Sequence, residues 1–342
     1  MMVGSQPYAH EHHHAGAGHS SVGHSQAHGL VDPAIATTGR GIWALKWSFA
    51  GLMVTALLQV LVVWLSGSVA LLADTIHNFG DAVTAIPLWI AFALARLRPS
   101  RRFSYGYGRA EDLAGIVVVL TIFSSAIVAG YQAVHRLLYP QTIHYLWAVA
   151  LASIIGFLGN EAVAIFRIKV GREIGSAALV ADGYHARVDG LTSLAVLLGA
   201  GGVWLGYSWA DPAVGLLISA VIMGIAWSAA RAVFGRALDA VEPEVIDELR
   251  HAAAQVAGVL EVSEVRARWI GHRLHAEINV AVEAGLTVAA AHEMAKEVRH
   301  QALHRLPHLG NAVIHVDPAD QLGEINHRIA AHAHDGLPTH AH

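Results

Sequence analysis

The sequence contains no cysteine. Disulfides are therefore impossible and thiolate metal ligands are excluded, so any metal site must use His, Asp, Glu or backbone oxygen. Charge is scarce as well: Asp, Glu, Lys and Arg make up 14% of the 342 residues, against about 25% in an ordinary soluble domain. No G-K-[ST] or G-x-S-x-G motif occurs, so nothing points to a phosphate-binding loop or a nucleophile elbow. The N-terminus lacks the basic-then-apolar pattern of a cleavable signal, which leaves the first apolar helix as the insertion signal. The net charge of −4 with neutral His speaks against a nucleic-acid partner.

What is present is apolar. Such residues make up 54% of the chain, and many fall in runs long enough to span a bilayer. Lipid offers the backbone no hydrogen-bond partner, so these runs must be helices. Six membrane helices are predicted near 42–65, 68–95, 112–138, 143–168, 176–207 and 212–234. The connections after the first, third and fifth contain neither Lys nor Arg. Arg96, Arg98, Arg101, Arg102 and Arg109 follow the second helix, Arg167, Lys169 and Arg172 the fourth, and Arg231 and Arg236 the sixth. The positive-inside rule then makes both termini cytoplasmic, and Trp64, Trp147, Trp204 and Trp209 gather at the outer interface.

Histidine is in excess, with 24 residues unevenly placed. Residues 1–39 and 319–342 are polar and His-bearing and cannot bury a core, so they read as disordered tails. The N-terminal one is either a metal-gathering segment or a solvated tail without a task. Between the membrane domain (40–236) and the second tail, residues 241–318 regain charge and follow an α-β-β-α-β order. That order suits a small helix-backed sheet on the cytoplasmic side. Its predicted elements are Pro243–Ala257, Val259–Trp269, Arg273–Val282, Val288–Leu306 and Ala312–Val316.

One nonapeptide pattern occurs twice. Residues 73–81 and 181–189 both read A-D-x-x-H-x-x-x-D. On a helix, i and i+4 share a face and i−3 lies one turn away on it. Each copy thus aims a His and an Asp the same way: His77 with Asp81, and His185 with Asp189. Two facing helices would offer two imidazoles and two carboxylates, a tetrahedral N/O set that suits Zn²⁺. Asp74 and Asp182 either orient the imidazoles, as metal-bound His requires, or make helix-packing hydrogen bonds. Asn78 is a further candidate for the orienting role. The alternative for the whole pattern, a hydrogen-bonded network that only holds helices together, is weakened by its repetition on two helices. Arg187 turns away from the repeat and needs a partner at membrane depth; Glu161 on the fourth helix is the expected one.

Metal binding to such a site needs neutral His and ionised Asp, so binding expels protons and protonation expels metal. With no nucleotide site, an ion gradient is the available energy source. The reading is transport of a divalent metal in exchange for H⁺, with no enzymatic activity and no cofactor beyond the transported ion. Co²⁺, Ni²⁺ and Cd²⁺ remain open beside Zn²⁺, whereas paired His disfavours Mn²⁺. A membrane metal sensor is a second class, opposed by the intact ligand pairs. An intramembrane metalloenzyme is a third, disfavoured because no general base accompanies the ligands.

Over residues 40–318 the chain resembles the cation diffusion facilitator family. The resemblance rests on the two H-x-x-x-D pairs in the second and fifth helices, on Tyr105-Gly106-Tyr107-Gly108-Arg109-Ala110-Glu111 before the third, and on His315-Val316-Asp317-Pro318 near the end. It implies a homodimer in the inner or plasma membrane that exports divalent metal by proton antiport through His77, Asp81, His185 and Asp189. It also implies a ferredoxin-like cytoplasmic domain that binds metal at the dimer interface, with His292, His315 and Asp317 on expected ligand positions. Two further such positions fall at Ser263 and Asn279 and are not His. His272 and His275 either substitute for them or are ordinary surface histidines. The loop between the second and third helices is Arg-rich, with Phe103 and Tyr107 where some members carry His, so no metal site is expected there.

Overall fold

The structure is a computed structural model, and it describes residues 33–66, 85–139, 145–207 and 209–320. Every histidine of the two tails lies outside the described residues. So does the first copy of the repeat, with Asp74, His77, Asn78 and Asp81.

The membrane part consists of α1 (Pro33–Ser66), α2 (Ala85–Ala95), α3 (Arg109–Leu138), α4 (Leu146–Ile174), α5 (Ala177–Trp204) and α6 (Ala210–Ala237). Helix α1 thus begins inside the stretch expected to be a tail, because Pro33 suits a first helical turn. Five of these helices are long and apolar enough to cross a bilayer. The remaining one, α2, is the described C-terminal portion of the helix expected over 68–95. Large apolar side chains such as Trp47, Leu58, Leu120 and Trp227 are exposed along the bundle, as a lipid-facing surface requires. Inside, the packing residues are small. A Cβ on Gly183 of α5 would come within 2.7 Å of the Ile168 side chain and 3.0 Å of its backbone nitrogen. That glycine lets α4 and α5 approach closely.

Helix α4 extends to Ile174, beyond the expected end at 168. Arg167 and Lys169, which the charge pattern places in a loop, are therefore helical, and Arg167 is buried. Ser176 ends the α4–α5 turn and caps α5 by accepting a hydrogen bond from the Leu179 amide at 3.0 Å, the usual service of an N-cap hydroxyl.

The C-terminal domain is α7 (Pro243–Ala254), β1 (Glu261–Ile270), β2 (Arg273–Val282), α8 (Val288–Arg305) and β3 (Leu309–Pro318). This is the αββαβ order read from the sequence. Pro243 opens α7, where its missing N–H costs nothing. The sheet order is β1-β2-β3, with β1 antiparallel and β3 parallel to β2. Helix α8 makes the crossover between the parallel strands, as such a pair requires. Leu249, Leu274, Ile278, Val280, Val298 and Ala302 form the core between helices and sheet. Strand β3 runs well past the expected 312–316 because it pairs along nearly all of β2. Partners, not side-chain pattern, set its length.

Candidate metal site

The second copy of the repeat lies in the first half of α5. His185 is 1% exposed, and its Nε2 lies 3.9 Å from Asp189 Oδ2, one helical turn on. Two atoms each about 2.1 Å from one tetrahedral ion are roughly 3.4 Å apart. A small side-chain rotation therefore lets this pair share a cation. The other expected half, His77 and Asp81, lies outside the described residues.

Asp182, one turn before His185, is fully buried and forms an ion pair with Arg167 of α4 at 3.0 Å. This contact ties α5 to α4. The pairing is one of charge more than of hydrogen bonding: among the described residues Arg167 Nε and Nη2 and both Asp182 carboxylate oxygens have no hydrogen-bond partner. Sequence reasoning alone misses this pair because it counts Arg167 among the charges of the connecting loop. On the other side of α5, Arg187 is held by Glu161 as expected, with Nε to Oε2 at 3.2 Å and Nη2 to Oε1 at 2.7 Å. The forked geometry is the strong form of such a pair.

In the C-terminal domain, His315 Nε2 lies 2.8 Å from Asp317 Oδ1. Asp317 and His292 line one cavity of about 430 Å³ together with Val282, Ile314 and Val316. Among the described residues no group of three or more His, Asp or Glu side chains is gathered closely enough to hold a metal. The non-His positions serve the sheet instead. Ser263 Oγ donates to the Asn279 carbonyl at 3.3 Å, and Asn279 Nδ2 donates to Glu264 at 3.4 Å.

His272 corrects the sequence reading of a substitute ligand or a surface residue. It is 3% exposed and sits at the tip of the β1–β2 hairpin, inserted against the membrane helices. Its Nδ1 donates to Glu111 Oε2 of α3 at 2.6 Å. Its Nε2 meets the Thr38 hydroxyl of α1 at 3.2 Å, and its ring lies 5.8 Å from that of Phe92 on α2. The preceding Gly271 donates its amide to Asp112 at 3.3 Å. It adopts φ +61°, and a Cβ there would lie 2.7 Å from the Gly108 carbonyl oxygen. Arg268 stands over Tyr105 at 5.3 Å. No local signal marks this joint, since each partner comes from a distant segment. His275 is half-buried on β2, and burial together with Arg268 and Arg273 lowers its pKa, favouring the neutral imidazole. Its neighbours make it an element of the sheet rather than an exposed histidine. The loop between α2 and α3 holds the Phe103 and Tyr107 rings 4.8 Å apart and tilted by 40°.

These features define an integral membrane protein with a mid-helix His–Asp pair and a small α/β domain locked to its helices. Comparison with known proteins carries this further. The cation efflux transmembrane domain matches residues 45–235, and the cation efflux protein cytoplasmic domain matches 241–319. The chain belongs to the cation efflux, or cation diffusion facilitator, family of divalent-metal exporters. A probable cation efflux system protein of Mycobacterium tuberculosis is 53% identical over 298 residues, covering 87% of this chain and 90% of that one. An uncharacterized transporter of Methanocaldococcus jannaschii is 27% identical, covering 80% and 96%. The manganese efflux system protein MneP of Bacillus subtilis is 25% identical, covering 73% and 87%.

Proposed function

We propose that this protein exports a divalent transition metal from the cytoplasm in exchange for protons, with Zn²⁺ as its leading substrate. The observation that carries the reading is the buried His185–Asp189 pair on α5, in a chain whose second membrane segment repeats the same nonapeptide. His77 and Asp81 complete a His₂Asp₂ set. Each imidazole must be neutral and each carboxylate ionised to bind the cation, so loading releases protons and reprotonation from the exterior ejects the metal. Co²⁺, Ni²⁺ and Cd²⁺ suit the same donors. Mn²⁺ prefers harder oxygen ligands, although one relative is named for manganese. Asp74 and Asn78 orient the donors of the second membrane segment.

The protein acts as a homodimer in the inner or plasma membrane, with both termini cytoplasmic. The Arg-rich connections support that orientation. In the C-terminal domain His292, His315 and Asp317 contribute to an interfacial metal site that a second copy completes. The cavity shared by His292 and Asp317 supports this.

Proteoliposomes with an imposed pH gradient provide the test. Wild type takes up Zn²⁺, whereas Asp81→Ala and Asp189→Ala lose at least about 90% of the rate, a cost of roughly 1.4 kcal/mol or more in transition-state terms. Equal uptake by all three would refute the site. Absence of uptake of any divalent metal by wild type would refute the transport reading. Competing Co²⁺, Ni²⁺, Cd²⁺ and Mn²⁺ in the same assay rank selectivity.

A further inference from the structure

We infer that the groove between the N-terminal end of α5 and the C-terminal end of α6 is a binding site for an anionic phospholipid. The groove is a cavity of about 580 Å³ bounded by the α4–α5 turn, α5, α6 and the linker into the C-terminal domain. Its rim carries Arg172, Arg231 and Arg236 against a single carboxylate, Glu242. Arg236 is already engaged, donating to the Gly175 carbonyl and lying 4.1 Å over the Trp269 ring. Arg172 and Arg231 are exposed and make no ion pair among the described residues.

Below this rim the lining changes character. Val180 and Tyr184 of α5 face Ala229 and Ala232 of α6 across the groove. From Ala177 to Tyr184 the helix rises about 10 Å, the depth of a glycerol backbone and the first acyl carbons. The small alanines leave room that a chain can fill.

The two halves select one ligand class. Arg236 is balanced by Glu242, Glu111 and Asp112, which leaves Arg172 and Arg231 to favour an anion over a divalent cation at the rim. A free phosphate would satisfy the rim and leave the apolar wall empty. A phosphatidylcholine would fill the wall but carry no net charge to the rim. A lipid with a net negative phosphodiester satisfies both, in the manner of basic pockets between helices at a cytoplasmic interface. The ligand would bridge the start of α5 to the linker at Ala240 and Glu242, which leads from α6 into the C-terminal domain.

Native mass spectrometry of the detergent-purified full chain, titrated with phosphatidylglycerol or phosphatidylcholine, tests the inference. Wild type should retain phosphatidylglycerol at least about tenfold over phosphatidylcholine, and Arg172→Gln/Arg231→Gln should abolish the preference. Arg172→Lys/Arg231→Lys should keep most of it. Ala232→Leu, which fills the apolar wall and leaves the rim intact, should weaken retention of both lipids. Arg98→Gln/Arg101→Gln, in the exposed loop before α3, should have no effect. Equal retention by wild type and Arg172→Gln/Arg231→Gln would overturn the site. Loss of retention in the loop variant as well would reduce the effect to bulk charge and also overturn it. If millimolar inorganic phosphate displaces the lipid as well as phosphatidylglycerol does, the acyl half of the proposal is wrong.

Discussion

Arg187 follows His185 by two residues, at a depth where an unpaired cation is costly. Its fork onto Glu161 resolves that cost across the α4–α5 interface. The pair is partly exposed, with side chains 31% and 27% accessible, so screening reduces what it contributes relative to a fully enclosed bridge. Glu161→Ala should lower thermal stability in detergent by about 1–2 kcal/mol and reduce folded yield, because it strands Arg187. Adding Arg187→Ala should restore part of the loss. If Glu161→Ala instead melts like wild type but binds Zn²⁺ more weakly, Glu161 is a ligand and its pairing with Arg187 is incidental. Arg167 and Asp182 stand at the opposite extreme. Their pair is wholly enclosed yet leaves Arg167 donor nitrogens without a hydrogen-bond partner among the described residues, so it pins α4 to α5 one turn from His185 at a desolvation cost of its own.

The β1–β2 hairpin is the element through which the C-terminal domain grips the membrane helices. His272 holds one oxygen of the buried Glu111 carboxylate, and the Gly271 amide donates to Asp112. His272→Ala should cost about 2–4 kcal/mol by leaving Glu111 buried without its partner. It should also speed proteolysis of the linker near residues 238–243, while His272→Gln keeps part of the contact. Unchanged melting and cleavage in His272→Ala would show that the hairpin merely rests on the helices. This joint also marks the limit of what the sequence discloses. The helices are legible because bilayer thickness imposes a length of apolar run. The αββαβ order is legible because alternation and helical periodicity differ. The His–Asp pair is legible because it repeats and its spacing fits one helical face. By contrast, Glu111 and His272 are separated by 161 residues, and Arg167 is buried because α5 packs closely against it and supplies Asp182. Polar partners brought together by folding leave no periodic trace in either segment.

Across the whole molecule, the histidines of the C-terminal domain that face cations should make its stability sensitive to pH. His308 lies against the α4–α5 turn, within 3.4 Å of where a Cβ on Gly175 would stand, and its ring is 6.1 Å from that of Trp269. Burial, Arg236 and His272 all lower its pKa. Burial, Arg268 and Arg273 do the same to His275. A pKa lowered on folding means that the folded state binds fewer protons than the unfolded one below the usual His value of about 6.5. The associated stability is therefore complete above that value and is lost as pH falls through the folded pKa values. Melting of the full chain in detergent should drop by a few degrees between pH 7.5 and 5.5. His275→Gln/His308→Gln should flatten that dependence while leaving the melting temperature at pH 7.5 within a few degrees of wild type. Equal slopes for the two proteins would assign the loss to other groups. A partly flattened slope in Arg236→Gln would further tie His308 to the guanidinium beside it, because removing that charge lets the imidazole ionise at a smaller cost.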